Sequence, residues 1–136
     1  MTLSRPFRTL ACALSALALV AACGDDTEAT SPIGDVLLSA NLIMEGGVTC
    51  ATGGVSRDFT GTAGKTVVIT ASGTSAMTPQ ITLYAPDFET QLAGSASTGP
   101  GRAALTKLLT ETGTHHVSVC DANGVAGNLN LVVTQQ

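Results

Sequence analysis

The sequence is poor in aromatic residues, with no Trp, one Tyr and three Phe among its 136 residues. A folded core therefore has to be built mainly from aliphatic side chains. The shortage also weakens a carbohydrate-binding interpretation, because sugars are commonly bound by stacking on exposed aromatic rings. Charged residues are scarce as well, at 12% of the chain where about a quarter is usual, and acids outnumber cations by ten to six.

The first 22 residues contain the three parts of a secretory signal. Arg5 and Arg8 form a positively charged n-region, and residues 10–22 form an almost uninterrupted apolar run. A run of about a dozen apolar residues suits a signal peptide, whereas a membrane-spanning helix needs about 20. Residues 20–23, Val-Ala-Ala-Cys, resemble a bacterial lipobox. The resemblance implies cleavage before Cys23, a diacylglycerol on its thiol and a further acyl chain, such as palmitate, on its amine.

A lipobox divides the chain into three predicted segments. Residues 1–22 are the lipoprotein signal peptide, residues 23–34 a lipidated flexible tether and residues 35–136 the folded domain. The tether is small, polar and acidic, contains Pro32 and shows no apolar periodicity. An ordinary cleaved signal followed by a chance cysteine is the alternative interpretation.

Processing makes the mature chain more acidic. Arg5 and Arg8 leave with the signal, so four of the six cations remain against ten acids, a net charge of −6. That sign argues against nucleic acid and against electrostatic binding to anionic lipid head groups. Membrane association is therefore expected to depend on the covalent lipid, because each buried methylene contributes about 0.8 kcal/mol and several acyl chains together anchor stably.

The same processing sorts the four cysteines. Cys12 leaves with the signal and Cys23 takes the lipid, which leaves Cys50 and Cys120. Two cysteines in an exported chain allow one intramolecular pairing, and we expect a disulfide between them. Free buried thiols and an intermolecular bridge are the alternatives. A metal site is not expected, because neither cysteine lies at a close Cys-Cys or Cys-His spacing.

Beyond the tether, short β-branched segments alternate with Gly-rich turns, which predicts an all-β sandwich. In residues 65–71, for example, Val67 and Ile69 fall on one face of a strand. Residues 102–110 could form two helical turns, but their β-rich surroundings favour a strand. The Asn-Gly pair at 123–124 predicts a tight hairpin turn between the last two strands. The predicted strands are 36–44 (which could also be irregular), 57–60, 65–71, 80–84, 88–93 (a weaker candidate), 102–110, 114–120 and 128–134.

Several of these segments, in this order, resemble the bacterial pre-peptidase C-terminal domain. The family typically has a polar-aromatic strand, an Ala-Gly turn, a Gly-Thr-Tyr-Tyr-type strand and a final alternating strand. The matching segments are Arg-Asp-Phe at 57–59, Ala-Gly-Lys-Thr-Val-Val-Ile at 63–69, Pro-Gln-Ile-Thr-Leu-Tyr at 79–84, Glu-Thr-Gly-Thr-His-His-Val-Ser-Val-Cys-Asp at 111–121, and Asn-Leu-Asn-Leu-Val-Val-Thr at 128–134.

The resemblance covers most of Val48 to Thr134 and rests largely on fold-forming residues. It implies a small jelly-roll-like antiparallel β-sandwich, usually an appendage of secreted proteins. His115 and His116 stand where the family usually has aromatic residues. No peptidase segment precedes this domain in the chain. We therefore expect that the family's usual role, as an accessory to another domain of the same chain, does not apply here.

The two adjacent histidines, His115 and His116, lie in the predicted strand 114–120. Neighbouring residues of a strand point to opposite faces, so this pair cannot chelate one ion. We expect one histidine to line the core with Val117 and Val119 and the other to face solvent. Neither is expected to be catalytic or to bind metal.

Three further motifs fail on spacing. Gly-Lys-Thr at 64–66 lacks the earlier glycine of a phosphate-binding loop, because Phe59 occupies that position. Asp-Ala-Asn-Gly at 121–124 lacks the remaining carboxylates of a calcium loop and is expected to be the hairpin turn. Ser, His and Asp all occur, but the chain has no Gly-x-Ser-x-Gly elbow to position a nucleophile.

These observations predict a non-enzymatic protein that uses no cofactor or metal. The first hypothesis is a lipid-anchored, non-catalytic β-sandwich that acts as a structural or protein-interaction module of the cell envelope, on the periplasmic or extracellular side of the membrane. The alternative is a carbohydrate- or peptide-binding module of the cell surface, and a small hydrolase is the third hypothesis. Expected partners are the membrane, through the lipid on Cys23, and an envelope protein or glycan, but not nucleic acid.

Overall fold

A computed structural model of the chain describes residues 34–136, so the predicted signal peptide, the lipobox and all but the last residue of the tether lie outside the described range. Within that range the chain forms nine β-strands, and no helix long and apolar enough to cross a membrane. The strands are β1 (Asp35–Met44), β2 (Val55–Gly61), β3 (Thr66–Ser72), β4 (Pro79–Tyr84), β5 (Gln91–Ser95), β6 (Ser97–Gly99), β7 (Arg102–Leu108), β8 (Gly113–Asp121) and β9 (Gly127–Gln135).

The strands form two antiparallel sheets. One sheet has five strands in the order β1-β9-β3-β7-β6, and the other has four in the order β2-β8-β4-β5. Most consecutive strands lie in different sheets, so the chain crosses repeatedly from one sheet to the other. The sheets pack face to face, which gives the small jelly-roll-like antiparallel β-sandwich that the sequence predicted.

The core lies between the sheets and is mainly aliphatic. In β3, Val67, Ile69 and Ala71 are buried while the residues between them are only partly covered. β8 alternates in the same way, with Val117 and Val119 fully buried. The apolar side of each strand can be covered only by the opposite sheet, and burying one Val or Leu side chain contributes about 1.5–3 kcal/mol.

Most predicted strand boundaries agree with the structure to within a few residues. Residues 36–44 and 102–110, for which an alternative was open, both form strands, β1 and β7. β2 begins at Val55, two residues before its predicted start. β6 is a further short strand between the predicted strands 88–93 and 102–110.

The strand predicted at residues 88–93 is wrong over its first half. β5 begins only at Gln91, and Phe88 lies in the loop before it with a φ of 61°, far from the extended values that a strand needs. The Asp87 carboxylate accepts hydrogen bonds from the amides two and three positions further on, at 3.0 and 2.9 Å. These bonds fold residues 87–90 into a turn.

The hairpin predicted at residues 123–124 is also wrong. A turn is present, and Gly124 has a φ of 66°, but the strands on its two sides belong to different sheets. β8 already lies between β2 and β4, and β9 lies between β1 and β3, so neither strand has a free edge to offer the other. The turn therefore carries the chain from one sheet to the other.

A disulfide joins Cys50 and Cys120, the pair that the sequence predicted. Cys120 lies in β8, and Cys50 lies in the loop between β1 and β2, where its amide donates a hydrogen bond of 3.2 Å to the carbonyl oxygen of Asp121. The bridge spans 70 positions of the sequence. In the chain-entropy model, closing a loop of that length stabilises the fold by about 4 kcal/mol.

Candidate functional site

The two histidines lie on opposite faces of β8, as strand geometry predicted. His115 is fully buried in the core, while His116 lies on the outer face of the four-stranded sheet. The two side chains therefore have separate surroundings and separate roles.

His115 is held in the core by one hydrogen bond and one aromatic contact. Its ring stacks on Phe59, with the ring centroids 5.7 Å apart and the planes inclined by 19°. Its Nδ1 lies 3.1 Å from the carbonyl oxygen of Gly113. A carbonyl can only accept, so Nδ1 carries a proton. Within the described residues Nε2 has no hydrogen-bond partner, which makes His115 a packing residue with an unsatisfied polar atom.

The His116 side chain is held by a hydrogen bond on the outer face. Its Nδ1 lies 2.6 Å from Oδ1 of Asp58, the residue directly opposite it on β2. The His116 side chain is only 16% exposed, whereas the Asp58 side chain is 63% exposed. The carboxylate therefore fixes the orientation of the imidazole and still presents negative charge to solvent.

Two aromatic rings complete a cluster around His116. Phe88 meets the His116 ring edge to face, with the centroids 4.4 Å apart, and stacks on Tyr84 at 5.6 Å. Phe88 is nevertheless 49% exposed. We call Asp58, Tyr84, Phe88 and His116 the Phe88 cluster. It is assembled from β2, β4, β8 and the loop between β4 and β5.

The loop that carries Phe88 is held by the Asp87 side chain. The Thr90 hydroxyl donates a hydrogen bond of 2.6 Å to Oδ2 of Asp87, and two backbone amides donate to Oδ1. The Thr90 side chain, followed by the backbone amides, lowers the pKa of Asp87 below its usual value of 3.8. The carboxylate is therefore ionised at neutral pH and holds Phe88 in its positive-φ conformation.

The Phe88 cluster contains part of the arrangement found in hydrolase triads. Asp58 and His116 are arranged like the orienting carboxylate and the base of a hydrolase triad. Within residues 34–136, however, no Ser, Thr or Cys side chain forms a hydrogen bond with His116. The same residues include no group of three His, Cys, Asp or Glu side chains that could hold a metal ion. The cluster can stack on a ligand and accept hydrogen bonds from it.

Asp121, which belonged to the rejected calcium motif, has a structural role. It is fully buried, and its carboxylate accepts hydrogen bonds from the amides of Thr78 (2.5 Å), Asn123 (3.0 Å) and Val125 (2.9 Å). Burial raises the pKa of Asp121, but the backbone hydrogen bonds together outweigh burial, and the pKa is lowered below 3.8. Asp121 therefore ties the loop before β4 to the loop after β8.

A shallow apolar groove lies at the open edge of the sandwich, where β1 and β2 meet. One titratable side chain, Glu45, contributes to its lining, and Ile43 at its rim is 73% exposed. The groove is lined by Ile43, Met44, Glu45, Val48, Gly54 and Val55. It offers apolar surface but not the converging polar groups of a small-molecule site.

The sequence did not single out the Phe88 cluster as a site. The predicted lipidation residue, Cys23, lies outside the described residues. The sequence contains one Tyr, and its pattern predicts that Phe88 lies in a strand. The spacing of Asp87 and Thr90 was the available signal, because an Asp that accepts from the amides two and three positions on marks a turn.

Comparison with known proteins supports the fold. The chain matches no protein-family model and no curated protein. Among solved structures it is similar to the pre-peptidase C-terminal domain of a collagenase from Bacillus anthracis, with a TM-score of 0.59 and 13% identity over 74% of this chain and 90% of that one. It is also similar to PliG from Aeromonas hydrophila, a periplasmic inhibitor of g-type lysozyme, with a TM-score of 0.50 and 16% identity over 73% of this chain and 83% of that one.

At these identities the likeness shows the fold alone. The fold of a pre-peptidase C-terminal domain, which the sequence motifs implied, is the fold that the structure has.

Proposed function

We propose that this protein is a lipid-anchored, non-catalytic β-sandwich that acts as a protein-interaction module of the cell envelope. Its place is the periplasmic or extracellular side of the membrane, with the lipid on Cys23. The observation that carries the interaction role is the Phe88 cluster, a group of packed aromatic side chains on the outer face of a sheet in which the Phe88 ring is half exposed.

Two features support the envelope location. The first is the residue 20–23 lipobox behind a signal-like apolar run. The second is the bridge between Cys50 and Cys120, since disulfides form and persist in oxidising compartments outside the cytosol. The two similar solved structures are compatible with this location, because one is described as periplasmic and the other belongs to a collagenase.

The interaction role is supported by the aromatic composition of the cluster. An exposed aromatic side chain on a protein that has very few of them is unusual, and Tyr and Phe are enriched in the buried centres of protein interfaces. One of the two similar structures is an inhibitor, which acts by binding another protein.

Lipid anchoring is tested by metabolic labelling of the full chain with an alkyne fatty acid, followed by membrane fractionation. The wild-type chain is expected to take up the label and to sediment with membranes, and Cys23→Ser is expected to lose both properties. Cys12→Ser is the matched control, because Cys12 belongs to the predicted signal peptide. Labelling that survives in Cys23→Ser would refute the anchor.

Interaction is tested by placing a photo-reactive phenylalanine analogue at position 88 in the full chain and irradiating intact cells. A discrete cross-linked species is expected from position 88. The control is the same analogue at Leu108, which is 55% exposed on the other sheet. Equal cross-linking from both positions, or none from position 88, would contradict the proposal. A glycan array probed with wild type and Phe88→Ala tests the carbohydrate-binding alternative.

A further inference from the structure

We infer that the Phe88 cluster binds a basic segment of a partner protein, with an Arg or Lys side chain placed against the Phe88 ring and beside Asp58. This inference rests on the proposed interaction function and assigns to it a face of the sandwich and a partner chemistry. It is carried by the charges around the cluster and by the conformation of Phe88.

The acids around Phe88 are exposed, and one of them, Asp58, has an unused acceptor oxygen. Asp58 is bonded to His116 through Oδ1, while its Oδ2 accepts no hydrogen bond from any residue within 34–136. Asp87 and Glu89 flank Phe88 in the sequence, and both are exposed. Negative charge thus lies on more than one side of an aromatic ring that is itself half exposed.

No cation of the described residues lies on this face to neutralise these acids. Arg57 is next to Asp58 in β2, so strand alternation points it to the opposite side of the strand. Lys65, Arg102 and Lys107 lie in the five-stranded sheet or in the turn that leads into it. The exposed acids beside Phe88 therefore have no Lys or Arg of the described residues on their side of the four-stranded sheet, which makes this face complementary to a basic partner.

The conformation of Phe88 indicates that its exposure is built into the loop. A positive φ is sterically unfavourable for a bulky residue, yet Phe88 holds 61°. Burial in the core does not offset this backbone strain, because half of the Phe88 side chain faces solvent. The Asp87 hydrogen bonds and the bond of 3.0 Å from the Phe88 amide to the carbonyl of Ala85 keep the ring in place. Strain that is maintained at an exposed aromatic ring is typical of a binding site.

This combination favours a cation over a neutral or anionic ligand. An aromatic face attracts Lys or Arg, and Arg in particular can stack on the ring while it donates hydrogen bonds to a carboxylate. An anionic partner would be repelled by the three acids. A neutral sugar would gain stacking but would leave their charges uncompensated.

The test uses the mature chain, residues 23–136, with Cys23→Ala so that it stays in solution. A hexa-arginine peptide is titrated against the 15N-labelled protein, and hexaglutamate and maltohexaose are titrated in parallel. We expect the arginine peptide to shift the amide signals of Asp58, Tyr84, Phe88 and His116 more than those of the five-stranded sheet. Shifts that are spread evenly over both sheets would overturn the inference.

Substitutions test whether peptide binding depends on the aromatic ring of Phe88, on its apolar bulk or on negative charge anywhere on the protein. Phe88→Leu keeps an apolar side chain and removes the aromatic face, so it is expected to weaken peptide binding about two- to fivefold, as is typical for an exposed cation–π contact. Asp58→Asn is expected to weaken binding as well. Leu108→Ala and Glu111→Gln are the matched controls for an exposed apolar residue and an exposed acid elsewhere, and both should bind like wild type.

The remaining outcomes also decide the question. Unchanged binding in Phe88→Leu, or equal weakening in Glu111→Gln, would reduce the effect to non-specific attraction and overturn the inference. Maltohexaose shifting the cluster in place of the peptide would make it a sugar site and overturn it as well. Because the assay uses lipid-free protein, loss of the predicted anchor at Cys23 would leave its result intact, and the two failures can be told apart.

Discussion

Replacing Asp121 by Ala is expected to lower the free energy of unfolding by about 3 kcal/mol. The carboxylate is fully buried and accepts three backbone hydrogen bonds, from Thr78, Asn123 and Val125. Each hydrogen bond to a charged group contributes about 1.5–3 kcal/mol. We expect a loss smaller than the sum of three such contributions, because Asn123 is exposed and Val125 is only half-buried. Water can therefore replace some of the hydrogen bonds that these amides lose.

The measurement is urea unfolding of the mature chain with its disulfide intact. The transition midpoint of Asp121→Ala should fall while the slope with urea stays the same, and the melting temperature should fall by roughly 10 to 20 °C for a domain of this size. Asp87→Ala is the control, because Asp87 caps a turn in the same way but on the surface. A loss of less than about 1 kcal/mol in Asp121→Ala would refute the view that this carboxylate holds the two loops together.

The same residue predicts how stability depends on pH. The pKa of Asp121 is lowered in the folded state, so the folded protein binds the proton less tightly than the unfolded chain does. Its contribution is therefore complete above the ordinary value of 3.8 and is lost as the pH falls through the lower native pKa. Wild type should lose stability below about pH 4 more steeply than Asp121→Asn. Equal pH slopes for the two proteins would contradict this reasoning.

Three further predictions concern the core and the backbone. Reducing the bridge between Cys50 and Cys120 should lower the free energy of unfolding by about 4 kcal/mol. Urea unfolding with and without dithiothreitol measures this loss, and an unchanged transition midpoint would contradict the prediction. His115→Ala should lower the free energy of unfolding by about 3 kcal/mol, because it leaves a cavity beside Phe59. His115→Phe keeps most of the volume and should change the free energy of unfolding by less than about 1.5 kcal/mol. Equal effects of the two substitutions would argue against a packing role for His115. Gly101→Ala should destabilise more than Gly64→Ala in thermal unfolding. Both glycines have a positive φ, but an added Cβ would clash with the backbone carbonyl oxygen of Thr74 at Gly101 and would meet nothing within 4 Å at Gly64. Equal losses would show that the close approach at Gly101 is absorbed by the loop.

The fold class could be predicted because burial on one face of a strand leaves a period of two in the sequence. Val67 and Ile69, like Val117 and Val119, alternate with polar or less buried residues, and each pair lies in the core. The same signal cannot tell which sheet a strand joins. The Asn-Gly turn at 123–124 has hairpin chemistry, yet both edges of β8 and both edges of β9 are already occupied, and that fact depends on strands far away in the sequence.

The Phe88 cluster could not be predicted for a related reason. Asp58 and His116 are 58 positions apart and become neighbours only because β2 pairs with β8 in one register. A shift of that register by one residue would turn Asp58 toward the core. Phe88 adds a local difficulty, because its strand-like sequence context is overridden by the hydrogen bonds of the preceding Asp87 side chain.

The position of β8 explains how one strand serves both the core and the proposed binding face. It lies between β2 and β4, so both of its edges are hydrogen-bonded, and its end is fixed by the disulfide at Cys120 and by the buried carboxylate of Asp121. A strand held in this way cannot rotate or slip to move His116 relative to Asp58. Because His115 faces inward and His116 outward, a substitution at one should leave the environment of the other largely intact. Stability and binding can therefore be changed separately at adjacent positions of the same strand, and this independence makes the substitutions described above interpretable.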